Sequence, residues 1–470
     1  MDSTTQEVKD GLVKGLGLFD STALVVGTMI GSGIFIVSAD IARQVKSPGL
    51  LLLVWAVTAV ITLIAALSYG ELAAAMPQAG GQYVYLREAF GPLSGFLFGW
   101  TLFLVIQTGT IAAVAVAFAK FAGVFFPWIS AGNHLIGSGT VGLNTQQLVA
   151  ISILVLLTFI NTRGVRAGAQ VQNVFTAAKV AGVLGLIAMG LFVGGNPQAI
   201  SRNFGHFWQG GEWSITTIRI VGVAMVGSLF SSDAWNNITF TAGEVKNPRR
   251  NVPLSLALGV GIVMALYLAI NLVYLSGLTL EGIQNAPEDR VATAVASNIL
   301  GPVAVKLMAI AIMISTFGCV NGLTLMGARV YYAMALDGLF FRAVGKLDPK
   351  RRTPVVSLVL QCAWACILTL SGRYSDLLDY VIFAVLVFYI LTIAALFVLR
   401  KKRPDLERPY RAFGYPYLPA LYILSAGTIE VLLLLYKPNF TWPGLIIVLL
   451  GIPAYYWMRA ANRRAGVTSN

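Results

Sequence analysis

The chain has 470 residues, of which 57% are hydrophobic and 11% are charged; its formal net charge is +13 and its mean hydropathy is +0.76. Soluble proteins carry about a quarter charged residues, so this composition excludes an ordinary soluble domain. The alternating ten-residue patterns of an outer-membrane barrel are absent. Several uncharged stretches are long enough to cross about 30 Å of hydrocarbon as a helix: 21–39, 47–70, 89–119, 180–201, 307–328, 380–399 and 438–458. The sequence therefore predicts a polytopic all-α membrane protein.

Twelve membrane-spanning helices are predicted from these stretches and their apolar neighbours. They cover 20–42, 49–76, 92–126, 147–162, 170–194, 215–242, 254–277, 303–335, 354–371, 376–399, 415–436 and 442–459. Residues 1–19 and 460–470 then form the cytoplasmic N-terminus and C-terminus. About twenty-three of the 33 basic residues fall on the predicted cytoplasmic side and about nine on the outer side, which is a positive-inside asymmetry. The positive charge therefore sets the topology and does not indicate a nucleic-acid-binding surface.

The first predicted span contains an unusual polar interruption, "GTMIGSGIFIV" at 27–37. Its Gly27, Gly31, Ser32 and Gly33 leave two interpretations open. Glycines spaced as in GxxxG allow close packing of membrane helices. Alternatively, they mark a break in the helix, which a membrane tolerates only where protein or a water-lined cavity covers the exposed backbone.

A second interruption, "GSLFSSDAWNNITF" at 227–240, lies five spans later. Its polar side chains are costly in hydrocarbon, where each unsatisfied polar group costs several kcal/mol. Two interruptions at corresponding places are typical of transporters built from inverted repeats, with the substrate site between them. The sequence thus predicts two five-span repeats of opposite orientation, 20–194 and 215–399, followed by accessory helices 11 and 12 within 415–459. The matched pair favours a site over simple packing.

An enzyme is not predicted. The only two histidines, His134 and His206, fall in predicted outer loops, and no HExxH or GxSxG pattern occurs. The three cysteines lie in apolar segments and imply no disulfide framework. Neither a cofactor nor a metal site is predicted.

Several motifs resemble those of the amino acid–polyamine–organocation superfamily. They are "GTMIGSGIF", "SPGLLLLVWAV", "YGELAAAMPQAGGQYVYLREAFG", "VQNVFTAAKV", "EVKNPRRNVP" and "LERP". Within the superfamily the sequence is most similar to the L-type amino acid transporters, from about residue 15 to 460. The resemblance implies a LeuT-type 5+5 inverted repeat, in agreement with the two interruptions. It also implies an amino acid substrate, alternating access without sodium, and a stand-alone prokaryotic protein of the cytoplasmic membrane.

The resemblance assigns both interruptions to the substrate. Residues of the first would bind the α-carboxylate of an amino acid: Thr28, Met29, Ser32 and Gly33. Carbonyl groups of the second would meet its ammonium group, around Phe230, Ser231 and Asp233. Phe230 matches the aromatic gate of the family; the alternative is an ordinary lipid-facing phenylalanine.

Asp233 is an acid in the middle of a predicted span. Insertion scales put the cost of such an acid at about 2.5–3.5 kcal/mol, so it normally faces a cavity or a partner. Many relatives that carry neutral amino acids have glycine here, and some that accept cationic ones have an acid. Asp233 is therefore expected to contact the ammonium group or a basic side chain of the substrate. The alternative is an ion pair or helix-end cap without ligand contact.

Lys179 lies deep in a predicted span. In sodium-independent relatives a lysine at this motif position occupies the space of a sodium ion. The resemblance implies that Lys179 is a structural cation that holds the first broken helix to span eight, near Ser315 and Cys319. The alternative is a coupling role, in which Lys179 carries a proton.

Two departures from the family pattern limit the inference. Animal L-type transporters join a single-span glycoprotein through a cysteine between spans three and four, but "PWISAGNHLIGSGTVGLNTQ" has none, so no disulfide-linked heavy subunit is expected. Span ten, "YVIFAVLVFYI", has no asparagine or tryptophan to contact the substrate side chain. Glu430 lies outside the expected core, where an oligomer contact or interfacial exposure is expected.

The predicted function is sodium-independent exchange of neutral L-amino acids, with cationic ones kept open by Asp233. A proton-coupled amino acid symporter and a non-transporting amino-acid sensor of the same fold are the alternatives. The oligomeric state is left open.

Overall fold

The computed structural model of the chain describes residues 11–138, 141–209, 214–371 and 374–464, and most of this part is α-helical. The α-helices, numbered in chain order, are α1 (Leu18–Met29), α2 (Val37–Val45), α3 (Pro48–Ala75), α4 (Gln82–Phe90), α5 (Pro92–Thr101), α6 (Gln107–Ala122), α7 (Thr145–Thr162), α8 (Val165–Phe192), α9 (Pro197–Gly205), α10 (Ile215–Ser231), α11 (Pro248–Gly277), α12 (Leu280–Gln284), α13 (Val291–Leu300), α14 (Val303–Leu336), α15 (Val355–Ser371), α16 (Tyr374–Lys402), α17 (Tyr417–Tyr436) and α18 (Pro438–Arg464).

Shorter elements connect or continue these helices. Four 3-10 segments lie at Gly33–Phe35, Trp235–Glu244, Pro287–Asp289 and Arg342–Gly345, and a π-helical turn joins α5 to α6 at Leu102–Ile106. Strands β1 (His134–Ser138) and β2 (Val141–Asn144) form an antiparallel hairpin in the outer loop between the third and fourth predicted spans. This hairpin is a small addition to the predicted all-α architecture.

The polytopic all-α prediction is confirmed. Within the described residues, ten helices are long and apolar enough to cross a membrane. Two predicted spans are missing from this set because their helices are too short. The first is split between α1 and α2, and the ninth, α15, has 17 residues. The count of twelve crossings stays a prediction.

Several helices begin where the sequence provides a suitable first residue. Pro48, Pro92 and Pro248 stand in the first turn of α3, α5 and α11, where a missing backbone N–H costs nothing. The Asn144 side chain accepts from the Gln147 backbone N–H at 2.8 Å and caps α7.

The interrupted helices lie at the centre of the bundle. Helix α1 packs against α8, α11 and α14, and the segment Trp235–Glu244 packs against α1, α11 and α14. Around them α3 packs along α11 and α6 packs along α14. The second predicted span thus pairs with the seventh, and the third with the eighth. Such pairing is expected of two interlocking repeats, although the repeat boundaries 20–194 and 215–399 stay predictions.

The segment before α1 is joined to the end of the second interruption. The Gly15 and Leu16 backbone N–H groups both donate to the Glu244 carbonyl oxygen, at 2.9 and 3.0 Å. The Lys246 N–H donates to the Leu16 carbonyl oxygen at 2.8 Å, and Leu16 is fully buried. This pairing fixes the start of the first broken helix against the second.

Candidate functional site

Both interpretations of the first interruption apply, to different glycines. A Cβ on Gly27 would lie 2.0 Å from Gln172 Nε2, so Gly27 lets α1 pack closely on α8. A Cβ on Gly33 would lie 2.3 Å from Ser231 Oγ, so Gly33 lets the two interruptions approach each other. The helix ends at Met29 and resumes only as the 3-10 turn at Gly33. The interruption is therefore a real break with a packing contact one turn earlier.

The second interruption turns sharply at Ala234. Helix α10 ends at Ser231, and Ala234 has a φ of +67°, the left-handed region that a residue with a Cβ seldom adopts. The carbonyl oxygen of Ala234 accepts from the Thr28 hydroxyl at 3.3 Å. Backbone strain of this kind concentrates at functional sites, and here it lies directly after Asp233.

Lys179 binds the carbonyl groups that the first break releases. Its Nζ donates to the carbonyl oxygens of Gly27, Ile30 and Ser315 at 2.7, 2.9 and 2.7 Å. These three bonds use all three N–H donors of an ammonium group. Because Gly27 and Ile30 belong to the first break and Ser315 to α14, the charged side chain joins two elements of the bundle.

Other side chains complete the cover of this break. The Ser315 hydroxyl donates to the Ile30 carbonyl oxygen at 2.8 Å. The Cys319 thiol donates to the Thr28 carbonyl oxygen at 3.1 Å. The Cys319 side chain therefore contacts the backbone of the broken helix, next to the carbonyl groups that Lys179 binds. The cost of breaking a helix inside a membrane is thus met by groups from α8 and α14.

Tyr267 of α11 links the two breaks directly. Its hydroxyl lies 3.0 Å from the carbonyl oxygens of both Met29 and Ser231, and it is the hydrogen-bond donor to both. We expect Tyr267→Phe to destabilise the protein by about 1–3 kcal/mol, because the buried Ser231 carbonyl loses this donor, while the Met29 carbonyl retains the Gly31 N–H. The melting temperature in detergent should fall, while Tyr417→Phe at an 81% exposed position should leave it unchanged. An unchanged melting temperature for Tyr267→Phe would show that this link is not needed.

A cavity lies where the two breaks meet. The residues expected to bind the substrate all line it: Thr28, Met29, Ser32, Gly33, Phe230, Ser231 and Asp233. Phe230 lines this cavity, which favours the aromatic gate over a lipid-facing side chain, and the gate stays a prediction. The Thr28 hydroxyl also donates to Leu24 of its own helix at 2.7 Å, so this group lines the cavity as part of the helix end.

Asp233 has a phenol as its side-chain partner. The Tyr389 hydroxyl of α16 lies 2.6 Å from Asp233 Oδ1 and 3.1 Å from Asn236 Oδ1. Among the ion pairs of the described residues, none includes Asp233, so the ion-pair alternative does not hold there. The Asp233 carboxyl group lines the cavity between the two breaks and also a second cavity that includes Gln82 and Gln107. Asp233 thus stands between two cavities.

Buried ion pairs join the helices at the predicted cytoplasmic end. Glu244, which ends the second break, binds Arg329 of α14 through both carboxylate oxygens at 2.7 and 3.0 Å, and both side chains are buried. Arg400 binds Glu71 in the same way at 2.9 and 2.6 Å. Removing one partner of a buried pair costs about 3–5 kcal/mol. These pairs hold α3, α14 and α16 against their neighbours at one end of the bundle.

Comparison with known proteins identifies the family of this chain. A family model described as amino acid permease matches residues 16–456. The chain belongs to the amino acid permease family. Similarity to the L-type transporters and membership of the wider superfamily are thereby confirmed, and this permease is a multi-pass membrane protein.

Individual relatives align with this permease over almost its whole length. It is 29% identical to the human b(0,+)-type amino acid transporter 1, covering 97% of this chain and 90% of that protein. It is 30% identical to the mouse large neutral amino acids transporter small subunit 2, covering 95% and 81%. It is 31% identical to the serine/threonine exchanger SteT of Bacillus subtilis (strain 168), covering 96% and 98%. These relatives are transporters rather than enzymes.

Sequence reasoning missed the tyrosines of the permease site. Tyr267 binds a carbonyl group of each break, and Tyr389 binds Asp233. Neither tyrosine stands in a polar motif. Span ten was expected to have no asparagine or tryptophan to contact the substrate side chain, and its Tyr389 was overlooked. A phenol inside the apolar run "VIFAVLVFYI" was the available signal. The substrate-binding roles of the cavity residues stay predictions.

Proposed function

We propose that this permease exchanges small to medium neutral L-amino acids across the cytoplasmic membrane by alternating access, without sodium. Both termini are then cytoplasmic, and Asp233 extends the range to cationic amino acids. The observation that carries the proposal is the meeting of both breaks around one cavity, lined by all seven residues assigned to the substrate. The names of the relatives support an amino acid as the transported molecule.

The two ends of an amino acid have suitable partners in this cavity. The segment from Gly33 leads into α2, and backbone N–H groups at the start of a helix attract a carboxylate. The Ser231 carbonyl and Asp233 of the second break supply acceptors for an ammonium group. A zwitterion thus finds donors on the first break and acceptors on the second, and Phe230 lines the same cavity.

Lys179 supports sodium independence. Its ammonium group holds carbonyl oxygens of both α14 and the first break, which a sodium ion would otherwise bind. A neutral amine would have only two N–H donors for three acceptors. This geometry favours the structural cation over the proton-coupled symporter.

The proposed transporter works without a disulfide-linked heavy subunit and without a cofactor. The three cysteines lie on α14 and α15, away from the outer loop that carries the β-hairpin. Catalysis is likewise no part of it.

The deciding experiment measures uptake of labelled amino acids into sodium-free proteoliposomes. We expect uptake into vesicles preloaded with unlabelled amino acid and little into empty vesicles, at equal pH on both sides. Uptake into empty vesicles driven by an inward proton gradient would establish the symporter instead. Saturable binding without any flux would establish the sensor. Protein-free vesicles are the control.

A further inference from the structure

Exposed basic side chains gather where α7 ends, α8 begins and the chain enters α15. They come from the segment before α1, the turn between α7 and α8, and the loop between α14 and α15: Lys14, Arg163, Arg166, Lys350 and Arg351. All five are exposed, and together they are called the basic cluster. The cluster lies at the end of the bundle that is predicted to be cytoplasmic.

Two contacts bring the three segments together. The Arg351 Nη1 atom donates to the Thr162 carbonyl oxygen at the end of α7, at 3.4 Å. A Cβ on Gly15 would lie 3.4 Å from Arg166 Cγ, so the segment before α1 lies directly against the start of α8. The basic cluster is therefore one surface, although its members are far apart in the sequence.

The basic cluster differs from other charged parts of the protein in its lack of acidic partners. Arginines elsewhere, such as Arg329 and Arg400, bind carboxylates. No ion pair within 11–138, 141–209, 214–371 and 374–464 includes a member of the cluster. Asp348 in the same loop accepts from the backbone N–H groups of Lys350 and Arg351, at 3.1 and 2.7 Å. Five positive charges thus accompany one carboxylate, which favours a negatively charged ligand.

The start of α8 adds backbone donors to this surface. Its N-cap residue, Gly164, has no side chain and leaves the first N–H groups of the helix uncapped. A Cβ on Gly164 would lie 4.0 Å from Thr353 Oγ1, so this helix start lies beside the loop before α15. Helix N-termini and arginine side chains both bind phosphate by donating hydrogen bonds to its oxygens. The chemistry of the surface therefore fits a phosphate group.

Exposed apolar side chains continue from the basic cluster along α7. The Arg163 guanidinium lies 4.4 Å from the ring centre of Phe159, one turn earlier, and Phe159 is 54% exposed. The same face of α7 carries three more exposed apolar side chains, Leu148, Val155 and Leu156. In a membrane such a face contacts acyl chains, from which a free phosphate ion would gain nothing. A ligand with a phosphate at one end and hydrocarbon at the other fits both parts.

We propose that the basic cluster and the exposed face of α7 form a binding site for one anionic phospholipid. Its phosphate accepts hydrogen bonds from Arg163, Arg166 and Arg351, and one acyl chain lies along Phe159. Clusters of basic residues at the ends of membrane helices attract anionic lipids. Because Gly15 is hydrogen-bonded to the end of the second break, the headgroup lies beside the segment that joins the two breaks.

Native mass spectrometry of the purified full-length protein in detergent tests the site, with phosphatidylglycerol and phosphatidylcholine as probes. We expect the unaltered protein to retain phosphatidylglycerol in preference to phosphatidylcholine at equal concentration. The triple variant Arg163→Gln/Arg166→Gln/Arg351→Gln should lose affinity for phosphatidylglycerol roughly 100-fold, at about fivefold for each base. Equal affinity of the unaltered protein for the two lipids, or an unchanged affinity in the variant, would overturn the proposal.

Arg250→Gln/Lys401→Gln/Arg411→Gln is the matched control, because it removes three exposed charges at the same predicted end but outside the basic cluster. This variant should bind phosphatidylglycerol like the unaltered protein. An equal loss in both triple variants would indicate diffuse attraction and would contradict a defined site. If the first triple variant fails to fold, Arg166→Gln alone should lower the affinity about fivefold, and no loss there would refute the site.

Competition with inorganic phosphate separates a lipid from a free anion. Phosphate should not displace bound phosphatidylglycerol, because it has no acyl chain to lie along α7. Displacement by phosphate would indicate a site for a free anion and would contradict the lipid assignment. None of these readouts depends on transport, so they hold whether or not the proposed exchange is correct.

Discussion

Replacing Lys179 with alanine should nearly abolish exchange and lower the stability of the protein by about 1–3 kcal/mol. The change leaves the Gly27 carbonyl oxygen without a donor, and a buried acceptor left unpaired carries this cost; the Ser315 carbonyl keeps the hydrogen bond of its own helix. The Ile30 carbonyl oxygen still accepts from the Ser315 hydroxyl, so the break keeps one of its hydrogen-bond donors. Melting temperature and the initial rate of exchange measure the two effects.

Lys306→Ala is the matched control, because Lys306 is an exposed lysine on α14. Both its melting temperature and its exchange rate should equal those of the unaltered protein. If Lys179→Ala transports and melts like this control, Lys179 does not brace the first broken helix. Addition of sodium that restores the alanine variant would further identify the position as a cation site.

Replacing Asp233 with asparagine should change which amino acids are carried. Hydrogen bonds to charged groups contribute about 1.5–3 kcal/mol, so loss of the carboxylate should weaken cationic substrates roughly 10- to 150-fold. Asparagine keeps the shape of the side chain and can still accept from Tyr389. Competition of arginine, lysine and serine against labelled substrate measures the change. An equal loss for all three would place Asp233 at the ammonium group rather than at the basic side chain.

Asp40→Asn controls for the loss of one negative charge, since Asp40 lies near the outer end of the first broken helix with a 56% exposed side chain. Its substrate profile should not change. If Asp233→Asn keeps both the affinity and the profile of the unaltered protein, the carboxylate is a helix-end group without substrate contact.

The sequence was sufficient to locate both broken helices. Polar residues such as Asp233 and Asn236 are costly in hydrocarbon, so their presence in apolar spans has few explanations. Lys179 stands out for the same reason. Gly33 was recognised as part of a break, but its contact with Ser231, about two hundred positions away, depends on how the two helices approach. Only the folded bundle contains that information.

Other parts of the site were hidden because their residues are unremarkable in a membrane helix. Tyrosines are common near the ends of spans, and nothing in the sequence shows that Tyr267 lies between Met29 and Ser231. Glu430 was misplaced for a related reason: exposure at an interface was expected, but the residue is only 7% exposed. Whether a residue faces lipid or another helix is set by the packing of α17 against α3, α10, α16 and α18, which the pattern of a mostly apolar helix does not encode.

The pairing of Gly15 and Leu16 with Glu244 and Lys246 has a mechanical consequence. The chain just before α1 and the end of the second broken helix at Glu244 are joined by three backbone hydrogen bonds, and the carboxylate of Glu244 is held at the same point by Arg329. If these two segments move during transport, they should move together, because each is hydrogen-bonded to the other. Tilting one broken helix at this end of the bundle should therefore pull on its counterpart, so that both sides of the cavity between the two breaks move together.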